Sequence, residues 1–206
     1  MTSKTDIHQA TAALAPEEQA RAYVYSLLGA LLSTPANEHL LGILERIESD
    51  TDSQTSIMTK AWNTMQRIAR EENPDQIADE YHNLFIGLGR GELIPYASWY
   101  LTGYLMEKPL AVLRGDLDRL GFSSTAERSE PEDHVAALCE VMGMIIVENQ
   151  LGFEKQKAFF ETHLAPWISR FFTDLTQAKS ARFYQAVGEL GRCFMEVEKQ
   201  YFSMQV

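Results

Sequence analysis

The sequence predicts an all-α protein, and three observations point that way. Apolar residues recur in steps of three and four along most of the chain, which gathers them on one face of a helix. Proline, glycine and asparagine fall where those stripes begin and stop. No run of β-branched residues alternates with polar ones over the length of a strand. The expected architecture is one bundle-like helical domain of about nine or ten helices. Its halves, 1–122 and 130–206, are joined by a polar hinge at 123–129.

The first helix is expected over Ala20 to Leu32, ending before Pro35, and a short second one over Glu38 to Ile47. The polar run "ESDTDSQTS" reads as a loop. Ile57, Ala61, Met65 and Ile68 then define a third helix running to about Arg70. Asn73 is placed to cap a fourth, with Pro74 in its first turn. That helix is expected to bury Ile77, Tyr81, Leu84, Phe85 and Leu88 before "GLGRGELIP" breaks it. The stretch "YASWYLTGYLMEKPLAVLRGDLDRLGF" resumes as helix in two pieces, the second opened by Pro109. "SSTAERS", short and aperiodic, is the hinge, a place where two chains could exchange halves, so the expected state is a monomer or a hinge-swapped dimer. Beyond it come a helix opened by "EPEDH", one around Glu154 to His163 and one begun by Pro166. The last runs from Ala181 to about Phe202, with Phe183, Val187, Leu190, Phe194, Val197 and Tyr201 as its core stripe.

Composition narrows the function. A chain of 206 residues that is 45% hydrophobic and 23% charged has the make-up of a folded globular protein. The start has no secretory signal pattern, and no apolar stretch approaches the roughly 20 residues that span a bilayer, so a cytoplasmic protein without membrane insertion is expected. Its formal charge of −11 repels phosphate backbones and argues against nucleic acid. Cys139 and Cys193 stand alone among apolar residues and read as small buried hydrophobes.

The chemistry-bearing stretch is "EPEDHVAALCEVMG", Glu130 to Gly143. Pro131 suits a first helical turn, and Ser129 with Glu132 has capping-box spacing, so the acids have a structural role to fill. With Val135, Leu138, Met142 and Ile145 facing the core, helical geometry puts His134 at the edge of the stripe and Asp133 on the solvent side. Side chains adjacent on a helix diverge by about 100°, so Asp133 does not orient His134 for acid–base work, and no nucleophile motif accompanies them. Glu130/His134 and Asp79/His82 have same-face spacing, but a carboxylate-bridged metal site needs Glu-x-x-His repeats that are absent. "GLGRG" follows a helix and lacks phosphate-loop spacing. The aromatics of "IPYASWYLTGYL" are too many for one buried face, and exposed Tyr and Trp suit the grip of an apolar peptide.

Together, "EYHNLF", a glycine-rich turn, "PYASWY" and, after a polar linker, "EPEDH" resemble the TorD/DmsD/NarJ family of redox-enzyme maturation chaperones. The run "GELIPYASWYLTGYLMEKPLAVLRGDL" is most similar to members associated with formate dehydrogenases. The resemblance implies an all-helical, non-enzymatic cytoplasmic chaperone with no cofactor of its own. Such a chaperone binds the twin-arginine leader, and in some members the body, of a molybdenum oxidoreductase of the formate dehydrogenase or dimethyl sulfoxide/trimethylamine N-oxide reductase type, and holds it until the molybdopterin cofactor is inserted. Tyr81, Leu84 and Phe85 match the family's YxxLF, Pro95 and Ser98 its proline–aromatic–x–serine turn, and Glu130, Asp133 and His134 its ExxDH. Tyr96 stands where relatives often carry Trp, and "GLGRGE" replaces their commoner Gly-Pro turn. The expected leader site is therefore Leu84, Phe85, Pro95, Tyr96, Ser98, Trp99, Glu130, Asp133 and His134. Glu130 and Asp133 would meet the arginines and the rings the apolar stretch. Two other readings stay open on the residues alone: a helical metalloprotein or enzyme using His134 and Asp133, and a structural assembly subunit that binds no leader.

Overall fold

A computed structural model of the chain describes residues 14–47, 56–122, 130–148 and 152–204. They form ten α-helices and no strands: α1 (Pro16–Ser33), α2 (Glu38–Arg46), α3 (Ile57–Glu71), α4 (Pro74–Tyr81), α5 (Ala97–Thr102), α6 (Lys108–Leu120), α7 (Val135–Val147), α8 (Gly152–Phe159), α9 (Ile168–Gln177) and α10 (Phe183–Met204). The all-α expectation holds. The expected hinge at 123–129 and most of the polar loop after α2 lie outside the described residues.

Two pairings organise the core. α1 lies along α7, and α10 packs on α9, α3, α1 and α4. The α1–α7 crossing is tight because glycine faces the partner from both sides. A Cβ at Gly29 would sit 2.9 Å from Glu140 Cγ, and one at Gly143 would sit 3.1 Å from Ser26 Oγ. α2 packs on α3, α5 on α6 and α8 on α7. One apolar cluster runs through all of these, from Tyr25 and Leu28 to Phe171, Phe194 and Met195.

The local signals mostly act as expected. Asn37, Ser56 and Asn73 each accept a backbone N–H at the start of α2, α3 and α4. Pro16 and Pro74 sit in first turns, which draws α1 four residues further toward the N-terminus than periodicity suggests. α4 and α8 each run on into a one-turn π-helix, His82–Ile86 and Phe160–Leu164.

Several expectations are corrected. Leu88 is fully exposed at 103% because the chain leaves its helix at Gly87, whose φ of 61° turns it away from the core. Pro166 does not begin a helix; it lies in a turn, and α9 starts at Ile168. Val197 is exposed, so the α10 stripe is interrupted there and completed by buried Glu198 and Phe202. α7 starts at Val135 rather than near Pro131, its N-cap is His134, and Ser129 lies outside the described residues. Because 131–134 is not helical, the helical projection that put Asp133 in solvent fails. Its side chain is 1% exposed.

Candidate functional site

The two motifs singled out in the sequence, Pro95–Ser98 and Glu130–His134, meet in space. They pair as a short antiparallel bridge between Tyr96 and His134. The Ala97 N–H donates to Asp133 O at 2.9 Å, and the Val135 N–H donates to Pro95 O at 2.8 Å. Each motif thus starts a helix, and each start is completed by the other. Asp133 Oδ2 accepts the Ser98 N–H at 2.8 Å, so a carboxylate 35 residues away in sequence caps α5. His134 caps α7 through Nδ1, which accepts the Ala136 N–H at 3.2 Å.

That hydrogen bond fixes the state of the histidine. A ring nitrogen accepting an N–H carries no proton, so His134 is the neutral Nε2–H tautomer. Glu130 Oε2 lies 4.0 Å from Nδ1, at the limit of an ion pair, but that nitrogen has no proton to donate. Burial lowers the imidazole's proton affinity and outweighs the pull of Glu130. The Tyr96 ring stands edge-on to the imidazole, 5.0 Å between centroids. Burial, followed by the charges of Glu130 and Asp133, pushes its hydroxyl up to about 12. Tyr81 is raised to about 12 by burial and then by Glu130. Both phenols therefore remain protonated beside the Glu130 carboxylate.

The nine expected site residues divide into two layers. Leu84, Ser98, Asp133 and His134 are buried, as is Pro95, and in this conformation they support the surface instead of forming it. Glu130, with a side chain 63% exposed, and half-buried Phe85, Tyr96 and Trp99 reach the surface. Phe85 packs on Tyr81 and Tyr184. Behind this layer Asp133 Oδ1 and the Ser98 hydroxyl are both buried without a partner among the described residues.

Sequence reasoning passed over one feature and read another only in part. Arg90, in the glycine-rich turn, lies 4.9 Å over the Trp99 ring. The turn folds back on its own helix, with the Glu92 and Leu93 N–H groups donating to Asn83 O and Leu84 O. Gly91 makes this possible, since a Cβ there would sit 2.6 Å from Leu84 O. The second feature is the exposed stretch after α5, where Tyr104 is 70% and Met106 73% exposed, with Met106 held at a φ of 58°. Crowding of aromatics was the available signal for the second; a lone arginine between glycines gave none for the first.

Among the described residues no three His, Cys, Asp or Glu side chains converge on one point. No described helix is long and apolar enough to cross a membrane. His134 has its unprotonated ring nitrogen tied into a helix cap, and the Asp133 carboxylate accepts a backbone N–H rather than one from the imidazole. What the fold and site define is an all-helical protein with an acid and aromatic rings at the rim of the paired motifs.

Comparison with known proteins places that class. Residues 52–173 match the sequence profile of the family described as nitrate reductase delta subunit, and the chain belongs to that family. It is 29% identical over 164 residues to the chaperone protein TorD of Aliivibrio salmonicida, covering 74% of this chain and 75% of that one. It is 27% identical over 208 residues to the chaperone protein TorD of Aliivibrio fischeri, covering 91% and 95%. The fold is shared with the crystal structure of an Archaeoglobus fulgidus protein described as a candidate redox enzyme maturation protein. That likeness has a TM-score of 0.54 at 17% identity and covers 85% of this chain and 93% of that one. The family the motifs resemble is thus the family the chain belongs to, one whose curated relatives are named as chaperones.

Proposed function

We propose that this chaperone works in the cytoplasm and binds the twin-arginine leader of a molybdopterin oxidoreductase, holding the precursor until its cofactor is inserted. The observation that carries the proposal is the exposed Glu130 carboxylate beside the rings of Tyr96 and Tyr81 on a rim fixed by the Tyr96–His134 bridge. A leader joins a cationic head to an apolar stretch. Glu130 receives the arginines, where a carboxylate accepts a guanidinium in bidentate fashion. Tyr96, Trp99 and Phe85 take the apolar part, in the manner of a helix laid in a groove. Leu84, Pro95, Ser98, Asp133 and His134 contribute from beneath, by fixing the positions of α5 and α7. Asp133 therefore acts as a cap and not, as its helical projection suggested, as a second contact for arginine.

The test is calorimetric titration of the full chain with synthetic leaders of formate dehydrogenase and dimethyl sulfoxide/trimethylamine N-oxide reductase type. The expected result is saturable binding that weakens with salt, and that Glu130→Lys reduces by roughly tenfold or more. If no leader binds, or if Glu130→Lys binds leaders with unchanged affinity and salt dependence, the acidic rim is not where the arginines go.

A further inference from the structure

We infer that the cleft between the 87–94 turn and α9 is a second binding site, for the carboxylate of an acidic peptide segment. The cleft, about 170 Å³ in volume, is lined by Arg90, Arg170, Trp99, Tyr100, Glu92 and Asp174 together with two apolar side chains. Arg90 lies over Trp99, and the Arg170 guanidinium lies 5.6 Å over Tyr100. A guanidinium resting on a ring uses its face and keeps its N–H edge free, in the geometry that receives a carboxylate.

The acids within the cleft are already engaged. Glu92 accepts the Lys179 N–H through one carboxylate oxygen at 2.6 Å and the Ser180 N–H through the other at 3.0 Å. Asp174 Oδ2 accepts the Tyr100 hydroxyl at 3.0 Å. Among the described residues Arg90 and Arg170, like Arg46 and Arg70, form no ion pair with an acidic side chain, whereas Arg21, Arg67, Arg114, Arg119, Arg182 and Arg192 do; only Arg90 and Arg170 of these four line a common cleft. On a chain of net charge −11, two exposed arginines held on rings bring this cleft, with Glu92 and Asp174, to formal neutrality, and its guanidinium edges are the groups left to receive a ligand. The volume is well below the roughly 300 Å³ at which sites for drug-sized ligands begin, so the cleft takes one acidic side chain and not a nucleotide.

The same short helix carries both features: Tyr96 at the start of α5 faces His134, while Trp99 and Tyr100 wall the cleft. A bound polypeptide would thus be read for charge at two places, arginine at Glu130 and carboxylate at Arg90 and Arg170. Identifying that polypeptide as the client rests on the function proposed above; binding of a carboxylate does not.

The experiment titrates the full chain with an N-acetylated, C-amidated pentapeptide carrying one Glu among leucines, with its Gln analogue, and with inorganic phosphate. The Trp99 indole N–H is followed by NMR, and a twin-arginine leader is titrated in parallel. Saturable binding of the Glu peptide is expected, about tenfold weaker for the Gln analogue and for Arg90→Gln or Arg170→Gln, the loss of a charge-assisted pair. Both substitutions are on exposed side chains, so melting temperatures should match wild type, and both should keep leader affinity. Glu130→Lys should lose the leader and keep the Glu peptide. Equal binding of the Glu and Gln peptides, or arginine variants without effect, overturns the inference. Phosphate competing as well as the peptide overturns it too, in favour of a general anion site. If no leader binds wild type while the Glu peptide behaves as expected, the leader proposal falls and this one stands.

Discussion

Two regions among the described residues bury charged side chains and treat them differently. Between α1, α8 and α10 the Arg21 guanidinium forms a two-bond pair with Glu198, at 2.6 and 2.8 Å, and donates to Gln156 at 3.0 Å. The Tyr25 hydroxyl donates to the same carboxylate, and the Tyr201 ring lies 3.9 Å from the guanidinium carbon. Burial works against the Arg21 charge, but its bonds to Glu198 more than offset that. At the bridge between α5 and α7, by contrast, buried Asp133 forms no direct ion pair among the described residues, and Arg114 acts on it only at longer range. The Asp133 charge is met by one backbone N–H, and one oxygen is left without a partner among the described residues. A closed network fixes a scaffold; a partly satisfied one occurs where something besides stability was required.

The contrast breaks most sharply at Glu198. Glu198→Ala leaves Arg21 buried without its counter-charge and should cost about 3–5 kcal/mol in urea unfolding. A double change, Arg21→Met with Glu198→Leu, should recover most of that loss, because removing both charges also removes the cost of burying them. A double variant no better than the single one would show that the pair is needed to specify the fold.

Asp133 should matter less to stability. Asp133→Ala removes the cap of α5 and should cost about 1–2 kcal/mol, while Asp133→Asn, which keeps an acceptor, should cost less than half as much. Equal losses for the two would mean that the charge, not the hydrogen bond, holds α5.

A smaller effect is expected from pH. Burial lowers the folded-state proton affinity of His134, so the unfolded chain takes up that proton first on acidification. The contribution is therefore fully present above the ordinary histidine value of about 6.5 and is lost as pH falls through the lower folded value. His163, buried but bonded to Asp116 at 2.8 Å, is also lowered and adds to the same slope. His134→Asn keeps a capping acceptor that cannot be protonated there. It should flatten part of the stability loss between pH 7 and 5, and an unchanged slope would show that the cap survives protonation.

How much of this was legible follows from which interactions are local. Helix caps such as Asn37, Ser56 and Asn73 bind within three residues of themselves, and periodicity marks the buried faces of α3 and α10 except at Ile57 and Val197, which are exposed, so the all-α fold could be read directly. The segment 131–134 could not. Its conformation is set by a partner 35 or more residues away, and a proline in front of an apolar stripe looks like a helix start whether or not the chain pairs elsewhere first. Hence helical projection puts Asp133 on the wrong side, while Glu130, outside the bridge, is exposed. The arginine cleft was hidden for a related reason, since Arg90 and Arg170 come together only once the glycine turn folds back against α9.

The smallest stability effect is expected at Glu130, and that is what makes it informative. Its carboxylate is mostly exposed, and the ring nitrogen it approaches, His134 Nδ1, has no proton to share. Glu130→Gln should therefore change unfolding free energy by no more than about 0.5 kcal/mol, as for most surface substitutions. The proposed leader contact requires the same change to weaken leader binding clearly, whereas Asp133→Asn should shift stability and leave the affinity of the folded protein closer to wild type. If the two variants exchanged these behaviours, the buried carboxylate would be the one that meets the guest, and the bridge between α5 and α7 would have to open for it to do so.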